Sequence, residues 1–324
     1  MSDKPITPED GAVAKKKRAV NRADMTKWQW TLREMRVNRV GYIMVAPFFI
    51  LFLVFTVLPI ILSLFFSFTI FNMLEWPKFV FLDNYIRLLL DDDTFLTAIR
   101  NTFVFAAVTG PISYVLSFMM AWFINELSPK MRAFVTLIFY APSISGQVYM
   151  IWQVIFSSDQ YGYANSLLLR FNFISGPILW FQDAKYTMGL CIVVALWLSL
   201  GTSFLAFIAG LQVVDRSYYE AGAVDGIRNR WQELWYVTLP LMKNQLMFGA
   251  VMTITGSFGF GAIVTALCGF PSVEYSAHTI MHHLDDYGGI RFEMGYASAI
   301  ATLLFFLMVG ANLLVNRLLS KVGT

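Results

Sequence analysis

The chain has 324 residues, of which 57% are hydrophobic and only 14% are charged, and its mean hydropathy is +0.59. Soluble globular domains contain roughly 45–50% apolar and about 25% charged residues. The composition therefore excludes a soluble enzyme, a disordered chain and a coiled coil, and it indicates a multi-span membrane protein. The formal net charge of +3 also excludes a dedicated nucleic-acid-binding protein.

The first 40 residues are basic. They carry ten Lys and Arg, four of them in succession at residues 15–18. The apolar stretch that follows is too long for the core of a cleavable signal peptide and lacks a clear small-residue cleavage site. We predict a cytoplasmic tail over residues 1–40, with contact to anionic membrane lipid as an alternative to a solvated arm.

Six apolar runs are each long enough to cross about 30 Å of hydrocarbon. They cover residues 42–69, 98–124, 131–156, 187–212, 241–268 and 294–318. Irregular backbone cannot face lipid, so all six are predicted to be helices. The predicted fold class is an all-α integral membrane protein with six transmembrane helices in residues 41–318 and a short cytoplasmic end at 319–324.

The distribution of positive charge predicts the orientation. With the N-terminus inside, the inner segments hold 18 of the 24 Lys and Arg, and the outer segments hold six. Positive charge concentrates on the cytoplasmic side of membrane proteins. Both termini are therefore predicted to be cytoplasmic.

The inner loop at residues 213–240 is long, polar and helical in pattern. Two short helices are predicted at 216–224 and 229–237, separated by Asp225-Gly226, where glycine permits a turn with positive φ and the aspartate can cap the next helix. Apolar residues recur in the second helix at i, i+3, i+4 spacing. Such a loop is expected to contact a protein, with an amphipathic pair lying on the lipid interface as the alternative.

The same loop carries a motif. It reads Glu-Ala-Gly-Ala-x-Asp-Gly, then a Trp, then Thr-Leu-Pro, and this resembles the signature cytoplasmic loop of permease subunits of binding-protein-dependent ABC importers. Further segments are similar to the carbohydrate-uptake (maltose-type) branch of that family. They lie at residues 82–85, 100–102, 161–165, 210–212 and 295–299.

The resemblance implies that the loop docks on a separate ATPase subunit. The docking residues that it implies are Tyr219, Glu220, Ala221, Ala223, Asp225 and Gly226. Glu220 would be the motif acid and Gly226 the motif turn, with a packing face formed by the tyrosine and the two alanines. The loop departs from the family pattern at Gly222 and Ile227, where alanine is usual, and a glycine inside a helix costs up to about 1 kcal/mol.

The resemblance also implies partners. They are a second permease chain in a heterodimer, an ABC ATPase dimer and an extracellular solute-binding protein. This chain contains no G-x-x-x-x-G-K-[ST] motif. We therefore predict no enzyme activity, no catalytic residue and no cofactor in this chain, with ATP and Mg²⁺ bound by the partner ATPase.

The cores of the six runs are nearly free of ionisable residues, which argues against an ion-coupled carrier and fits a neutral, hydroxyl-rich solute. Polar and aromatic residues in three runs are candidates for the solute path. They are Tyr140, Ser143, Ser145, Trp197, Gly201, Ser257 and Phe258. The resemblance places the sugar-facing positions near the last four, and ordinary helix packing is the alternative for each residue.

Two charged or ligating groups belong to the outer loops. His278, His282 and His283 could ligate a metal, but a helix that meets the binding protein explains them as well, and no metal is expected. Asp91 to Asp93 are interpreted as a solvated negative patch.

These observations predict a multi-pass permease subunit in the bacterial plasma membrane that imports a carbohydrate, with an oligosaccharide favoured, by ATP-driven alternating access. An ATP-independent channel or secondary carrier for a neutral solute is the first alternative. A membrane scaffold or sensor whose loop binds a signalling protein is the second.

Overall fold

The computed structural model describes residues 26–319, and the chain is mostly helical there, as predicted. The basic run at residues 15–18 and the C-terminal residues 320–324 lie outside the described residues.

The described residues form 17 α-helices, several short π-helical or 3-10 turns and one small sheet. The helices up to residue 125 are α1 (Lys27–Val37), α2 (Arg39–Phe52), α3 (Leu58–Phe66), α4 (Asp83–Ile86) and α5 (Asp93–Asn125). The next are α6 (Pro129–Ile144), α7 (Met150–Ile155), α8 (Tyr163–Arg170), α9 (Ala184–Leu198) and α10 (Thr202–Val213). The last are α11 (Arg216–Val224), α12 (Arg230–Glu233), α13 (Leu239–Leu241), α14 (Lys243–Phe258), α15 (Gly261–Cys268), α16 (Ile280–Asp285) and α17 (Met294–Leu319). Strands β1 (Thr69–Ile70) and β2 (Lys78–Phe79) are antiparallel.

Four helical stretches in the described residues are long and apolar enough to cross a membrane, and one bent pair of helices raises the number to five. They are Arg39–Phe66, Asp93–Asn125, Ala184–Val213, Met294–Leu319 and the pair α14 and α15, which is bent by 41°. These match five of the six predicted runs. The run at 131–156 forms α6 and α7, with non-helical residues 145–149 between them, so a sixth crossing stays a prediction.

Prolines shape several of these helices. Pro59 and Pro240 each lie two residues after a π-helical turn, at Leu53–Val57 and Leu234–Thr238. Proline has no backbone N–H and crowds the carbonyl four residues earlier, and a local change of helical pitch accommodates both effects. By contrast, α5 continues through Pro111.

Helix α5 joins the hydrophobic core of residues 62–319. Its buried residues belong to three clusters: Phe95 packs with α16 and α17, Phe105 with α9 and α15, and Phe118 with α10. At 33 residues and 1.5 Å per residue, α5 is about 50 Å long. One helix therefore connects the segment around Asp92 with the segment around Glu126.

Candidate functional site

The 213–240 loop begins with helix α11, which has the predicted bounds. The Asp215 side chain caps α11 by accepting a hydrogen bond from the Ser217 N–H at 2.9 Å. The helix ends at Val224, and two residues later Gly226 has a φ of +98°, a conformation that other residues rarely adopt. The Ile227 N–H then donates to the Gly222 carbonyl at 2.9 Å and closes the turn.

The second predicted helix is α12, which continues through the π-helical turn into α13. Its N-cap is Asn229, whose side chain accepts a hydrogen bond from the Gln232 N–H at 2.8 Å. The expectation that Asp225 caps this helix is therefore wrong, because Asp225 closes α11 instead. A short polar side chain three residues before a free backbone N–H is the usual N-cap arrangement, and Asn229 also fits it.

Helix α11 has an inner side and an open side. Tyr219 points inward, where its hydroxyl is hydrogen-bonded to Thr238 Oγ1 at 3.1 Å, and Gly222 is buried. Glu220 is largely exposed, with a weak ion pair to Arg216 at 3.7 Å. The remaining predicted docking residues are also exposed, and they are Ala221, Ala223, Asp225 and Gly226. The open side thus exposes small side chains and the two carboxylates of Glu220 and Asp225.

The two departures from the family pattern lie against each other. A methyl group at position 222 would lie 3.0 Å from Ile227 Cδ1 and 3.3 Å from Val237 Cγ2, which is closer than most real contacts of a Cβ atom. The larger Ile227 thus fills the space that an alanine at position 222 would need. Gly222 loses helix propensity, but it allows this tight packing between α11 and the π-helical turn.

A charged and an aromatic contact attach the loop to α5. The Arg230 guanidinium lies 2.6 Å from a Glu126 oxygen and 2.8 Å from a Glu233 oxygen. One turn earlier on α5, the buried Trp122 ring lies 5.2 Å from the Trp231 ring. Beside these contacts is an open polar cavity of about 810 Å³, which is lined by residues of α5, α6, α10 and the loop.

The candidates for the solute path fall into two groups in the described contacts. In the first, the Ser143 hydroxyl donates to the Tyr140 carbonyl at 2.8 Å, and a methyl group at Gly201 would lie 3.6 Å from Ser143 Cβ. The Trp197 ring packs edge-on against Trp152 at 5.5 Å. Ser145 is exposed where α6 ends.

The second group is Ser257 and Phe258, which are both buried. They line an apolar cavity of about 430 Å³ between α5, α14 and α17. The Ser257 hydroxyl donates to the Ile254 carbonyl at 2.7 Å, which is a common arrangement of serine inside apolar helices. Contact of either group with a solute stays a prediction.

A buried cluster of histidines lies at the other end of α5. We define the histidine cluster as Asp92, His278, His282, His283 and Tyr296. His283 Nε2 donates to Asp92 Oδ2 at 2.9 Å, and the Tyr296 hydroxyl donates to the same oxygen at 2.8 Å. His278 Nε2 lies 3.3 Å from His283 Nδ1, and the His278 Nδ1 atom is buried with no hydrogen-bond partner among the described residues.

The pKa values of all three histidines are lowered. Burial lowers the pKa of His282 to about 4, and burial together with the neighbouring imidazoles lowers that of His278 to about 3. Burial also lowers the pKa of His283, against the opposing effect of Asp92. Burial acts to raise the pKa of Asp92, but the hydrogen bonds from the Phe95 N–H and Tyr296 together with His283 lower it on balance.

The interpretation of Asp92 as part of a solvated patch is wrong. Its side chain is 12% exposed, caps α5 through the Phe95 N–H at 2.9 Å and binds His283. The spacing of Asp92 and Phe95 at the start of a long helix is the signal that could have revealed the cap. His282 is held between two hydroxyls, Thr265 at 2.9 Å and Thr279 at 3.0 Å.

The family-like segments at residues 82–85, 100–102 and 295–299 meet in this region. Asn84 donates to the carbonyls of Ser67 and Thr69, both at 2.9 Å. Asn101 donates to the carbonyls of Tyr275 and His278. A methyl group at Gly295 would collide with the Thr69 carbonyl oxygen, so the glycine permits β1 to pack on α17. Asn84 and Asn101 thus bind backbone carbonyls of distant segments, and the sequence pattern alone did not show this structural role.

The fold and the loop together define a class: a helical membrane component that carries a short, firmly packed and partly exposed helix outside its apolar runs. The chain belongs to the family of binding-protein-dependent transport system inner membrane components, whose family model matches residues 113–323. The predicted resemblance to permease subunits of ABC sugar importers is confirmed by the relatives that follow.

Two curated relatives come from Bacillus subtilis. The chain is 34% identical over 290 residues to the probable ABC transporter permease protein YesP. The aligned region covers 87% of this chain and 90% of YesP. It is 30% identical over 280 residues to the arabinooligosaccharides transport system permease protein AraP. This aligned region covers 86% of this chain and 87% of AraP.

The fold is also shared with a solved structure, the crystal structure of a bacterial ABC transporter involved in the import of the acidic polysaccharide alginate. The TM-score is 0.71 at 22% identity, over 91% of this chain and 99% of that chain.

Proposed function

We propose that this chain is a permease subunit of an ATP-driven importer that moves an oligosaccharide across the bacterial plasma membrane. The observation that carries the proposal is helix α11, whose inner side is fixed by Tyr219 and Gly222 while Glu220 and the two alanines stay open. The exposed side of such a helix is free to bind a partner, and its firmly packed inner side can transmit a displacement of the partner to the rest of the chain. Family membership disfavours an ATP-independent channel or carrier.

The proposed solute class rests on the relatives and on the composition of the spans. AraP is named for arabinooligosaccharides, and another relative, 34% identical, is the lactose transport system permease protein LacF of Rhizobium radiobacter. The six apolar runs are nearly free of ionisable side chains, which suits a neutral solute. Aromatic rings such as Trp197 can stack on the apolar faces of sugar rings, and Ser143 can hydrogen-bond their hydroxyls.

In the proposed assembly, this chain pairs with a second permease chain, and each permease docks one subunit of an ABC ATPase dimer, which binds ATP and Mg²⁺. An extracellular solute-binding protein delivers the sugar. A solved relative supports this last partner, because its title describes a complex with an alginate pentasaccharide-bound periplasmic protein. Closure of the ATPase dimer would move α11 and switch the access of the solute path from outside to inside.

The experiment is sugar uptake into proteoliposomes that contain the purified complex, with and without internal ATP and with the binding protein outside. Gly226→Pro removes the turn, because proline fixes φ near −65° and the structure requires +98°. We expect it to abolish ATP-dependent uptake. Gly226→Asn is the matched comparison, because asparagine adopts positive φ more readily than other side chains and should retain more of the uptake than Gly226→Pro.

Glu220→Ala tests the motif acid in the same assay. The carboxylate is exposed and contributes little to the stability of this chain, so we expect uptake to fall while the abundance of the permease in the membrane stays unchanged. Full uptake by both Glu220→Ala and Gly226→Pro would contradict the proposed coupling.

A further inference from the structure

Arg230 bridges α12 and the C-terminal end of α5, which also meet through the Trp231–Trp122 contact. Its guanidinium binds Glu126, which caps the C-terminal end of α5, at 2.6 Å, and it also binds Glu233 on its own helix at 2.8 Å. A planar guanidinium holds two carboxylates in a fixed direction, which a lysine does not. Arg230 therefore sets the position of α12 relative to the end of α5.

The neighbouring contact supports the same geometry. Trp231 packs on Trp122, which is buried and lies four residues before Glu126 on the same face of α5. Two adjacent residues of the loop thus contact two positions one turn apart on α5. A pair of contacts spaced along a helix fixes both distance and angle, so the loop and α5 move together.

The other end of α5 is fastened as well. Asp92 caps its first turn and is bound by His283 and by Tyr296 of α17. Helix α5 is unbroken over 33 residues between Asp92 and Glu126. A displacement of its Glu126 end is therefore carried along the helix to the segments that bind Asp92.

We propose that Arg230 is a positioning residue for energy coupling, which transmits movement of the 213–240 loop to α5 through Glu126. This proposal rests on the proposed function, because it needs an ATPase that moves the loop. The ion pair is partly exposed and contributes little to folding stability. Its role is to keep ATP hydrolysis and solute movement linked.

The test compares two rates in the same proteoliposomes: ATP hydrolysis and sugar uptake. We expect Arg230→Gln and Glu126→Gln each to lower the ratio of sugar imported to ATP hydrolysed by about five-fold or more. The double variant should lower the ratio no further than either single variant, because both changes break one contact. Arg230→Lys should restore only part of the ratio.

A matched control separates this contact from its surroundings. Arg228→Gln removes another exposed positive charge from the same loop and leaves Arg230 and both of its carboxylate partners in place. This control should keep the wild-type ratio. The proposal is overturned if the two single variants keep that ratio, if their effects add in the double variant, or if Arg228→Gln lowers the ratio equally.

The wild-type complex distinguishes this failure from failure of the proposed function. If uptake by the wild type does not depend on ATP, the proposed function fails and this proposal falls with it. If wild-type uptake depends on ATP and the variants keep the wild-type ratio, only the role of Arg230 is overturned. Recovery of each variant in the assembled complex confirms that the comparison is made on folded protein.

Discussion

Gly222 and Ile227 share one packing position on the inner side of α11. Adding a methyl group at Gly222 brings it within 3.0 Å of Ile227 and 3.3 Å of the buried Val237. Overpacking costs about 1–3 kcal/mol, whereas replacing glycine by alanine in a helix gains up to about 1 kcal/mol. Whether an alanine at position 222 stabilises or destabilises the chain therefore depends on the size of residue 227.

We predict that Gly222→Ala lowers the thermal midpoint of the purified complex and that it raises the midpoint when Ile227 is already alanine. The Ile227→Ala background removes the closer of the two contacts that the new methyl group makes, and leaves the one with Val237. Measuring the four midpoints gives the interaction between the two sites. Equal effects of Gly222→Ala in both backgrounds would show that the two residues are independent.

The histidine cluster makes stability depend on pH. When pH falls through about 6.5, histidines of an unfolded chain take up protons, but His278 and His282 stay neutral because their pKa values are about 3 and about 4. The unfolded state then binds more protons, so stability falls on acidification. The lowered pKa of Asp92 adds a loss of the same sign below about pH 4.

We expect the thermal midpoint of the complex to fall steadily from pH 7 to pH 5. Below pH 6, each of these histidines should lower the free energy of unfolding by about 1 kcal/mol per pH unit. The double variant His278→Gln, His282→Gln does not titrate at these positions and should show a flatter profile. A wild-type midpoint that rises on acidification, or that has the same slope in the double variant, would contradict this account.

At the residue scale, the sequence motif was enough to predict the turn at Gly226, and the docking role of Glu220 stays a prediction. It was not enough for Asp92 or Arg230, whose partners are distant in the chain. Asp92 meets His283 across 191 positions and Arg230 meets Glu126 across 104. A single sequence carries no direct signal for such pairs, because a charge pattern does not specify which opposite charge it meets.

At the scale of elements, close helix packing depends on glycines. A methyl group at Gly249 of α14 would lie 2.2 Å and 2.4 Å from ring atoms of Phe207, a fully buried residue of α10. In lipid, helices associate through packing rather than through the hydrophobic effect. The contact between α10 and α14 therefore depends on the absence of a side chain at position 249.

We predict that Gly249→Ala destabilises the chain by about 1–3 kcal/mol and lowers its recovery from membranes. Gly256→Ala is the matched control on the same helix, because a methyl group there meets no atom within 4 Å. The readout is the thermal midpoint of each purified variant. A Gly249→Ala midpoint at or above that of the control would show that the helices separate without cost.

Hydropathy predicted the elements better than their interruptions. Long apolar runs located five stretches that can span a membrane, since length and composition decide that property. The π-helical turns and the break at residues 145–149 interrupt the apolar and polar segments without a change in hydropathy, so they were not predictable from the runs. The N-cap Asn229 was missed because Asp225 lies closer to the turn.

At the scale of the whole molecule, six crossings and two cytoplasmic termini remain predictions. The run at 131–156 decides whether the chain crosses the membrane an even or an odd number of times, and so whether both termini lie on the same side. We predict that Lys130 lies inside and Tyr161 outside. Both residues are exposed, and the two native cysteines, Cys191 and Cys268, can be replaced by alanine. In intact cells an impermeant thiol reagent should then label Tyr161→Cys but not Lys130→Cys, and should label both after permeabilisation. Labelling of both before permeabilisation would mean that 131–156 does not cross.

The measurement that tests the central claim most directly is purification of the tagged chain from its native membrane in mild detergent, with mass spectrometry of the proteins that accompany it. Import coupled through the 213–240 loop predicts recovery of a second permease chain and an ABC ATPase in stoichiometric amounts, and loss of the ATPase from the Gly226→Pro variant. Recovery of the chain alone or as a homo-oligomer in several detergents would contradict the claim and favour a carrier or channel.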